Sequence, residues 1–418
     1  MKTIDKTGIV AREYEHAGRP GRFVMHRRTG ARCLLEGTAA AFFDVAAGGP
    51  EEAGRRFAEL AAAFNAPAER IAADYGKFVD GLVETLAKKD PKDSNRILPA
   101  LWERGITAMA MAELLQPCNL KCVHCYVGQR GSEQRYQSRL VKELPALKAR
   151  LKQMGCVELT VTGGEIRLVP GILDVLADLS ADFIVTALTN GTLWTPEERR
   201  RLAALPLKEV RATLFSWDPA VHDAITLEPG SWLKAREFVS DLRRLGAPVR
   251  VNTPVLAANA AGVPELVKRL GGEGIEVVAD VKCFQNAGGR DCRASAAQLE
   301  PLFRAGIAPR LEKRQCVGIK HKVRIGPDGT IFPCEYLSDR LGDIFDGRSM
   351  SELRAAPAAK ELLSKMAGEP AAAGCANCAS KGTCFSCIAF NIAENGDHAK
   401  PSAYICGLNA LSAAAPAA

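Results

Sequence analysis

The sequence contains no long apolar run and no apolar segment at its amino terminus. A helix that spans a bilayer needs about 20 mostly apolar residues, and no stretch of these 418 residues meets that requirement. Residues 1–10 also lack the apolar core of a secretory signal. These two absences predict a cytoplasmic protein that contacts no membrane.

The sequence also has little excess charge of either sign. It contains 55 Lys and Arg against 48 Asp and Glu, which leaves a net charge of +7. For a chain of this length a solvated surface of mixed charge explains that excess, although an acidic peptide partner also suits it. We therefore expect no nucleic-acid partner.

Cysteine, by contrast, is abundant and clustered. Three of the fourteen cysteines lie within residues 118–125, and seven lie within 316–406. The scattered ones are Cys33, Cys156, Cys283 and Cys292. Because disulfides are disfavoured in a reducing compartment, clustered cysteines there indicate metal or redox chemistry.

The first region of the chain is residues 1–90. Short apolar runs around glycine-containing turns predict small strands, and alanine-rich patterns at 37–46, 51–65 and 67–87 predict three helices. We expect a small α+β domain here, followed by a linker at 91–105.

The second region, residues 106–305, alternates strand and helix patterns. The candidate strands are 107–115, 156–162, 183–189, 209–216, 249–255 and 277–283, and the helical patterns between them include 139–154, 196–204, 232–245 and 261–271. Repeated βα units predict a parallel sheet that closes into a partial (β/α)6 barrel, short of the eight units of a full TIM barrel.

The third region, residues 306–410, holds the second group of cysteines. A hairpin signal lies at Pro327–Asp328–Gly329 between two apolar runs. The Ala- and Pro-rich residues 411–418 are expected to be a disordered tail.

The first cysteine group has the spacing Cys118-x3-Cys122-x2-Cys125 and directly follows the first candidate strand. Three thiolates in a short loop bind three irons of a [4Fe–4S] cube and leave the fourth iron open. Active sites of βα barrels lie at the carboxyl ends of the strands, as this loop does. The alternative is a structural zinc loop with His124 as a fourth ligand, although His124 lies between two ligands and gives a poor tetrahedral geometry.

This loop resembles the signature of the radical S-adenosylmethionine (SAM) superfamily, and the resemblance covers the whole second region. Gly163-Gly164-Glu165, after the second candidate strand, is similar to that family's GGE motif. The resemblance implies a catalytic cluster on Cys118, Cys122 and Cys125, where SAM is cleaved to a 5′-deoxyadenosyl radical that takes hydrogen from the substrate. It also implies cofactor-binding roles for His124, Tyr126, Gly163, Gly164, Glu165, Asn190 and Ser216.

The seven C-terminal cysteines are similar to the SPASM pattern, which implies two auxiliary [4Fe–4S] clusters. The inner cluster would take Cys316, Cys334 and Cys387, and the outer one Cys375, Cys378, Cys384 and Cys406. Two residues, where the family usually has three, separate Cys384 from Cys387. Seven thiolates leave one iron without a cysteine, for which substrate, an acidic side chain, Cys283 and Cys292 are candidates. A pair of zinc sites is the alternative.

The first region resembles the RiPP recognition element of ribosomal peptide maturation, a small winged-helix-like α+β domain. The resemblance rests on segment 34–46, the helices after it and the apolar pattern around Tyr75 and Phe78, and is a fold-level analogy. Such a domain binds a leader peptide as an added strand at its sheet edge. The implied partners are a precursor peptide and a reductant such as flavodoxin or ferredoxin.

The leading hypothesis is therefore a radical SAM peptide maturase that forms a thioether or carbon–carbon crosslink in a precursor peptide. A second enzyme hypothesis is a maturase of a protein or tetrapyrrole substrate, like a sulfatase maturase or a haem-pathway enzyme. The non-enzyme alternative is an iron–sulfur electron carrier or a peptide-binding protein.

Overall fold

The computed structural model describes residues 2–48, 50–88, 93–125, 138–285, 291–313, 316–367, 375, 377–378 and 380–416. Across these ranges no helix is both long enough and apolar enough to cross a membrane. The strands form a three-stranded sheet near the amino terminus and a nine-stranded sheet in the rest of the chain.

The amino-terminal part is an antiparallel sheet followed by three helices. Its elements are β1 (Ile9–His16), β2 (Arg19–His26), β3 (Arg32–Glu36), α1 (Thr38–Gly48), α2 (Pro50–Ala63) and α3 (Ala68–Ala87). The strands pair in the order β1-β2-β3. One face of the sheet packs against α1 and α3 through Val24, Phe43 and Tyr75. The three predicted helical patterns are confirmed.

The other face of this sheet packs beneath the amino ends of the larger sheet. Phe23 shares a core with Val157 and Ile184, which lie at the amino ends of two strands of the larger sheet. The buried guanidinium of Arg12 donates from Nε to the carbonyl oxygen of Cys156 at 2.6 Å. The amino-terminal unit therefore contacts the end of the larger sheet opposite the carboxyl ends of its strands, where the active sites of βα barrels lie.

The segment 91–105, predicted as a linker, contains helix α4 (Asp93–Glu103). Leu101 of this helix is fully buried against Phe23. The linker prediction is corrected, because this segment is a helix whose apolar face packs against the three-stranded sheet. Residues 89–92 lie outside the described residues.

Six parallel strands form the part of the larger sheet that was predicted as a partial barrel, and we keep the word barrel for this part. They are β4 (Met109–Glu113), β5 (Glu158–Thr162), β6 (Ile184–Thr189), β7 (Glu209–Thr213), β8 (Val249–Pro254) and β9 (Glu276–Asp280). The helices around them are α5 (Arg139–Lys142), α6 (Leu144–Gln153), α7 (Ile172–Asp182), α8 (Pro196–Ala203), α9 (Pro219–Thr226), α10 (Ser231–Arg244), α11 (Val263–Gly272) and α12 (Ala296–Arg304). The strands pair in chain order, which confirms the six predicted strands and the parallel sheet.

Three further strands extend this sheet beyond β4. They are β10 (Lys322–Ile325), β11 (Thr330–Phe332) and β12 (Gly342–Asp343). β10 pairs parallel with β4 and antiparallel with β11, which confirms the hairpin predicted at 327–329. The sheet is therefore larger than predicted and crosses the expected boundary at residue 305. β10 pairs with backbone groups that β4 would otherwise expose at a sheet edge.

Four helices complete the described part of the C-terminal region: α13 (Met350–Ala355), α14 (Pro357–Ala367), α15 (Ile388–Asn395) and α16 (Ala403–Ala414). The prediction of disorder for 411–418 is wrong up to residue 416, because α16 packs into the fold. Buried Ser412 accepts a hydrogen bond from the backbone N–H of Leu311 at 2.8 Å. Arg310 donates to the carbonyl oxygen of Ala415 at 2.6 Å.

Candidate functional site

The loop that carries the first cysteine group follows the carboxyl end of β4 and is held by the end of α9. The backbone N–H of Lys121 donates to the carbonyl oxygen of Thr226 at 3.2 Å, and that of Val123 donates to Ile225 at 2.9 Å. These bonds fix the middle of the loop, so that its cysteines have defined positions.

Cys118, Cys122 and Cys125 are partly buried and lie close enough to interact electrostatically. Burial raises the pKa of Cys118 to about 11 and that of Cys122 to about 12. Metal coordination deprotonates a thiol outright, and such a loop then becomes a set of thiolates. Within the described residues, no three His, Cys, Asp or Glu side chains converge on a single-ion site. Cysteines of a cubane each bind a different iron and do not need that convergence.

His124, between the second and third cysteines, is held in an apolar pocket. Its ring meets Phe215 edge to face, with the centroids 5.0 Å apart. Burial lowers the pKa of His124 to about 4, so that the imidazole is neutral at pH 7. Its buried Nδ1 has no hydrogen-bond partner among the described residues. The role predicted for His124 toward the cofactor stays a prediction, and Tyr126 lies outside the described residues.

Gly163 and Gly164 let the end of β5 approach the backbone of the cysteine loop. A Cβ on Gly164 would lie 2.0 Å from the carbonyl oxygen of Pro117, and one on Gly163 would lie 2.5 Å from that of Leu115. The N–H of Gly164 donates to Leu115 at 2.9 Å, and the N–H of Glu165 donates to Pro117 at 3.0 Å. The GGE motif and the cysteine loop are therefore one bonded unit, and it requires residues without side chains at both glycine positions.

Glu165 is fully buried and ties this unit to the end of β6. Its carboxylate accepts from Thr189 Oγ1 at 2.5 Å, from the N–H of Asn190 at 2.7 Å and from the N–H of Arg167 at 2.9 Å. Burial raises the pKa of Glu165, and these three donors work against that shift. A carboxylate has about four acceptor positions, so these three donors leave one position for a further donor.

Asn190 contacts the cysteine loop directly. Its Nδ2 donates to Asn119 Oδ1 at 2.9 Å and lies 3.8 Å from the sulfur of Cys118. Its Oδ1 accepts from the N–H and the hydroxyl of Thr192 at 2.9 and 2.7 Å. The sequence interpretation missed Asn119 and Thr192. The signal for Asn119 was its place beside Cys118, whereas nothing in the sequence links Thr192 to the loop.

Ser216 follows β7 and is buried. Its Oγ accepts from the backbone N–H of Asp218 at 3.0 Å, and Asp218 in turn caps α9 by accepting from the N–H of Ala220 at 2.8 Å. A Cβ on Gly262 would lie 3.3 Å from the same Oγ, so the space around Ser216 is tight. A contact of Ser216 with SAM stays a prediction.

The structure brings Cys316, Cys334 and Cys387 together, since each interacts electrostatically with at least one of the other two. Burial raises the pKa of each thiol, and hydrogen bonds from backbone N–H groups offset part of that rise. The donors belong to Gly318, Tyr336, Leu337, Ala389 and Phe390. Backbone N–H groups directed at sulfur suit thiolates that bind a cluster, because they stabilise the charged form.

The other four C-terminal cysteines form a second group nearer the surface. Cys384 interacts with Cys375, Cys378 and Cys406. Cys378 and Cys406 are exposed. These two groups contain the cysteines that the SPASM resemblance implied for an inner and an outer cluster, and their binding of clusters stays a prediction.

The remaining cysteines lie elsewhere. Cys283 and Cys292 are neighbours of each other and share an apolar cluster with Cys122 of the first loop. Cys156 is fully buried in the barrel core, and Cys33 packs against the core of the amino-terminal unit. Cys33 and Cys156 therefore pack as apolar side chains.

Comparisons with known proteins indicate the family of the central region. Residues 114–270 match the Radical SAM superfamily, so the chain contains a radical SAM domain. That family implies a [4Fe–4S] cluster and SAM as cofactors. The sporulation killing factor maturation protein SkfB of Bacillus subtilis is 27% identical over 39% of this chain and 39% of its own length. The AdoMet-dependent heme synthase of Methanosarcina barkeri is 24% identical over 70% of this chain and 94% of its own. The match to SkfB covers well under half of the length of SkfB.

Among solved structures, Streptococcus suis SuiB bound to its precursor peptide SuiA is similar to this chain. The TM-score is 0.67 at 15% identity, over 97% of this chain and 100% of SuiB. At this identity the likeness shows the fold, which is a radical SAM α/β fold with a parallel sheet.

Proposed function

We propose that this chain, which carries a radical SAM domain, modifies a ribosomally made precursor peptide and forms a thioether or carbon–carbon crosslink in it. The observation that carries the proposal is the bonded unit of the three-cysteine loop and the GGE motif at the carboxyl end of the barrel. It combines a thiol set for a cluster with a buried carboxylate, Glu165, that has an acceptor position left.

The residues of this unit divide the work of binding and orientation. Cys118, Cys122 and Cys125 would hold the cluster, and Glu165 with Asn190 keeps their loop in place. Bound cluster and SAM together supply a radical that takes a hydrogen atom from the substrate. The protein's part is to position the peptide and exclude water, for which the buried side of the loop around His124 and Phe215 is suited.

The C-terminal cysteines would hold two auxiliary clusters in a SPASM domain. A crosslink that replaces two hydrogens releases one electron and one proton after the radical has taken the first hydrogen atom. The inner group, with Cys316, Cys334 and Cys387, is the partly buried one and suits the acceptor of that electron. The outer group, in which Cys378 and Cys406 are exposed, suits transfer to an external carrier such as flavodoxin or ferredoxin.

The substrate proposal rests on the amino-terminal unit and on the relatives. Its three-stranded sheet has β1 and β3 at its edges, as strand addition of a leader peptide requires. SkfB is a maturation protein, and SuiB has been solved with a precursor peptide. A ribosomal precursor peptide is therefore the substrate class that we propose.

Two measurements test the proposal. Anaerobically reconstituted and reduced protein should convert SAM to 5′-deoxyadenosine, and co-expression with short peptides encoded nearby should give a mass loss of two hydrogens per crosslink. The Cys122→Ala variant should lose about four irons and all SAM cleavage. Cys156→Ala is the matched control, because Cys156 lies in the hydrophobic core just before the amino end of β5, whereas the cysteine loop follows the carboxyl end of β4. If Cys122→Ala keeps its iron and its cleavage activity, the cluster assignment is wrong.

A tetrapyrrole substrate is the second candidate, favoured by the match to nearly the full length of the heme synthase. It predicts SAM cleavage that is stimulated by a porphyrin and not by any peptide. The same cleavage assay, run with each substrate class, separates the two.

A further inference from the structure

Arg324 of β10 connects the strand before the catalytic cysteine loop to the loop that carries Cys334. Its NH1 donates to Glu113 Oε2 at 2.8 Å, and Glu113 ends β4. Its Nε donates to the carbonyl oxygen of Cys334 at 3.2 Å, and its NH2 donates to that of Leu337 at 3.3 Å. One guanidinium therefore contacts both parts of the molecule that carry proposed cluster ligands.

This ion pair is largely shielded from water. The side chains of Arg324 and Glu113 are 14% and 11% exposed, and the guanidinium lies 3.8 Å from the centre of the Phe332 ring. A buried ion pair is weak evidence for stability, because desolvation of the charges offsets their attraction. Its value here is geometric, since the planar guanidinium holds several acceptors in fixed directions.

A second cation on the same face of β10 reinforces this attachment. Lys322 lies two residues before Arg324, which places both on one side of the strand. Its Nζ lies 2.9 and 2.8 Å from the two carboxylate oxygens of Glu335, the residue after Cys334. β10 also pairs with β4 through its backbone. The segment 334–337 is thus tied to the barrel by side chains of the strand next to β4.

We propose that Arg324, balanced by Glu113, is a positioning residue that fixes Cys334 and the inner auxiliary cluster relative to the catalytic cysteine loop. Its charge beside Cys334 also sets the reduction potential of that cluster. This rests on the proposed function, because it takes Cys334 as a ligand of an inner cluster. The chemistry it serves is the removal of the electron that crosslinking releases.

Two variants of the same ion pair should move the potential of the inner cluster in opposite directions. Arg324→Gln leaves the carboxylate of Glu113 unbalanced near Cys334, which disfavours a further negative charge and lowers the potential. Glu113→Gln leaves the guanidinium unbalanced and raises the potential. General loosening of the fold would not give opposite signs. Potentiometric titration followed by electron paramagnetic resonance measures both shifts.

The same variants should uncouple SAM cleavage from product formation. A displacement of 1 Å costs on the order of 100-fold in a positioned reaction, so Arg324→Gln should lower crosslinks per 5′-deoxyadenosine by at least about tenfold. Arg324→Lys keeps the positive charge but lacks the planar, forked guanidinium. It should therefore restore the reduction potential more fully than the number of crosslinks per 5′-deoxyadenosine. If Arg324→Gln does not retain iron, Glu113→Gln alone tests the proposal: a higher potential supports it, and an unchanged or lower potential overturns it.

Lys148→Gln is the control. The Lys148 side chain is 16% exposed and pairs with Asp178 and Asp182 at 2.6 and 2.8 Å on the outer helices. It should leave potential and coupling unchanged. Suppose that the wild-type protein contains auxiliary iron and cleaves SAM. If the two variants then have the wild-type potential, or shift it in the same direction, this inference alone is overturned. Wild-type protein that lacks auxiliary iron overturns the inference together with the SPASM assignment, whether or not it cleaves SAM.

Discussion

Replacing Gly164 by alanine tests whether the GGE segment and the cysteine loop form one unit. The added Cβ would lie 2.0 Å from the carbonyl oxygen of Pro117, and 2.4 Å from the carbonyl oxygen of Gln116 and the carbonyl carbon of Pro117. All three are backbone atoms, so no side chain can rotate away to make room. The strain has to move the loop itself.

The size of that movement follows from the contact distances. An ordinary contact of a Cβ begins at 3.4 Å, so the backbone at Pro117 has to retreat by more than 1 Å, and Cys118 is the next residue. Overpacking of this kind costs about 1–3 kcal/mol in folding stability. A displacement of 1 Å costs on the order of 100-fold in rate. We expect Gly164→Ala to stay folded and to lose most SAM cleavage.

The assay compares iron content, 5′-deoxyadenosine formation and thermal unfolding. Iron on the seven C-terminal cysteines should be retained, since they lie elsewhere in the chain. Gly271→Ala is the matched control, because no atom lies within 4 Å of its Cβ position in α11. It should keep full activity and gain about 0.5–1 kcal/mol from helix propensity. Wild-type cleavage by Gly164→Ala would refute the packing argument.

Three further predictions concern stability. Burial lowers the pKa of His222 to about 4, so the native state binds fewer protons than the unfolded state. The free energy of unfolding should therefore fall by about 1.5 kcal/mol as pH drops from 6.5 to 5. Urea unfolding of His222→Gln should lack this part of the pH dependence. Removing residues 412–418 takes away the acceptor of the Leu311 N–H and should lower stability by at least about 1 kcal/mol, whereas a disordered tail would be removed without effect in a thermal melt. Leu101→Ala should lower the free energy of unfolding by about 2–5 kcal/mol, because Leu101 is fully buried between the two sheets. A loss below about 0.5 kcal/mol in denaturant unfolding would mean that α4 does not pack there.

Local patterns carried most of the fold prediction. Each of the six barrel strands is a short apolar run that could be recognised in the sequence. The alternation of strands and helices implies parallel pairing, which the structure has. The errors fell where tertiary contacts change the outcome. Helix α4 covers a sheet face, and α16 is held by Leu311 and Arg310 from a distant segment. Composition alone made the first look like a linker and the second like a tail.

The sequence by itself determined the chemistry that is available. The spacing of Cys118, Cys122 and Cys125 and the GGE motif indicate cluster and cofactor binding wherever the chain places them, because ligand type and local spacing are encoded within a few residues. The division of the C-terminal cysteines into two groups was implied by their resemblance to the SPASM pattern.

Only the tertiary structure decided how these parts are arranged. Glu113 and Arg324 are 211 residues apart along the chain, and they meet because β10 pairs with β4. Asn190 reaches Cys118 across 72 residues in the same manner. No local pattern specifies such contacts, since they depend on which strands become neighbours and on the register in which they pair.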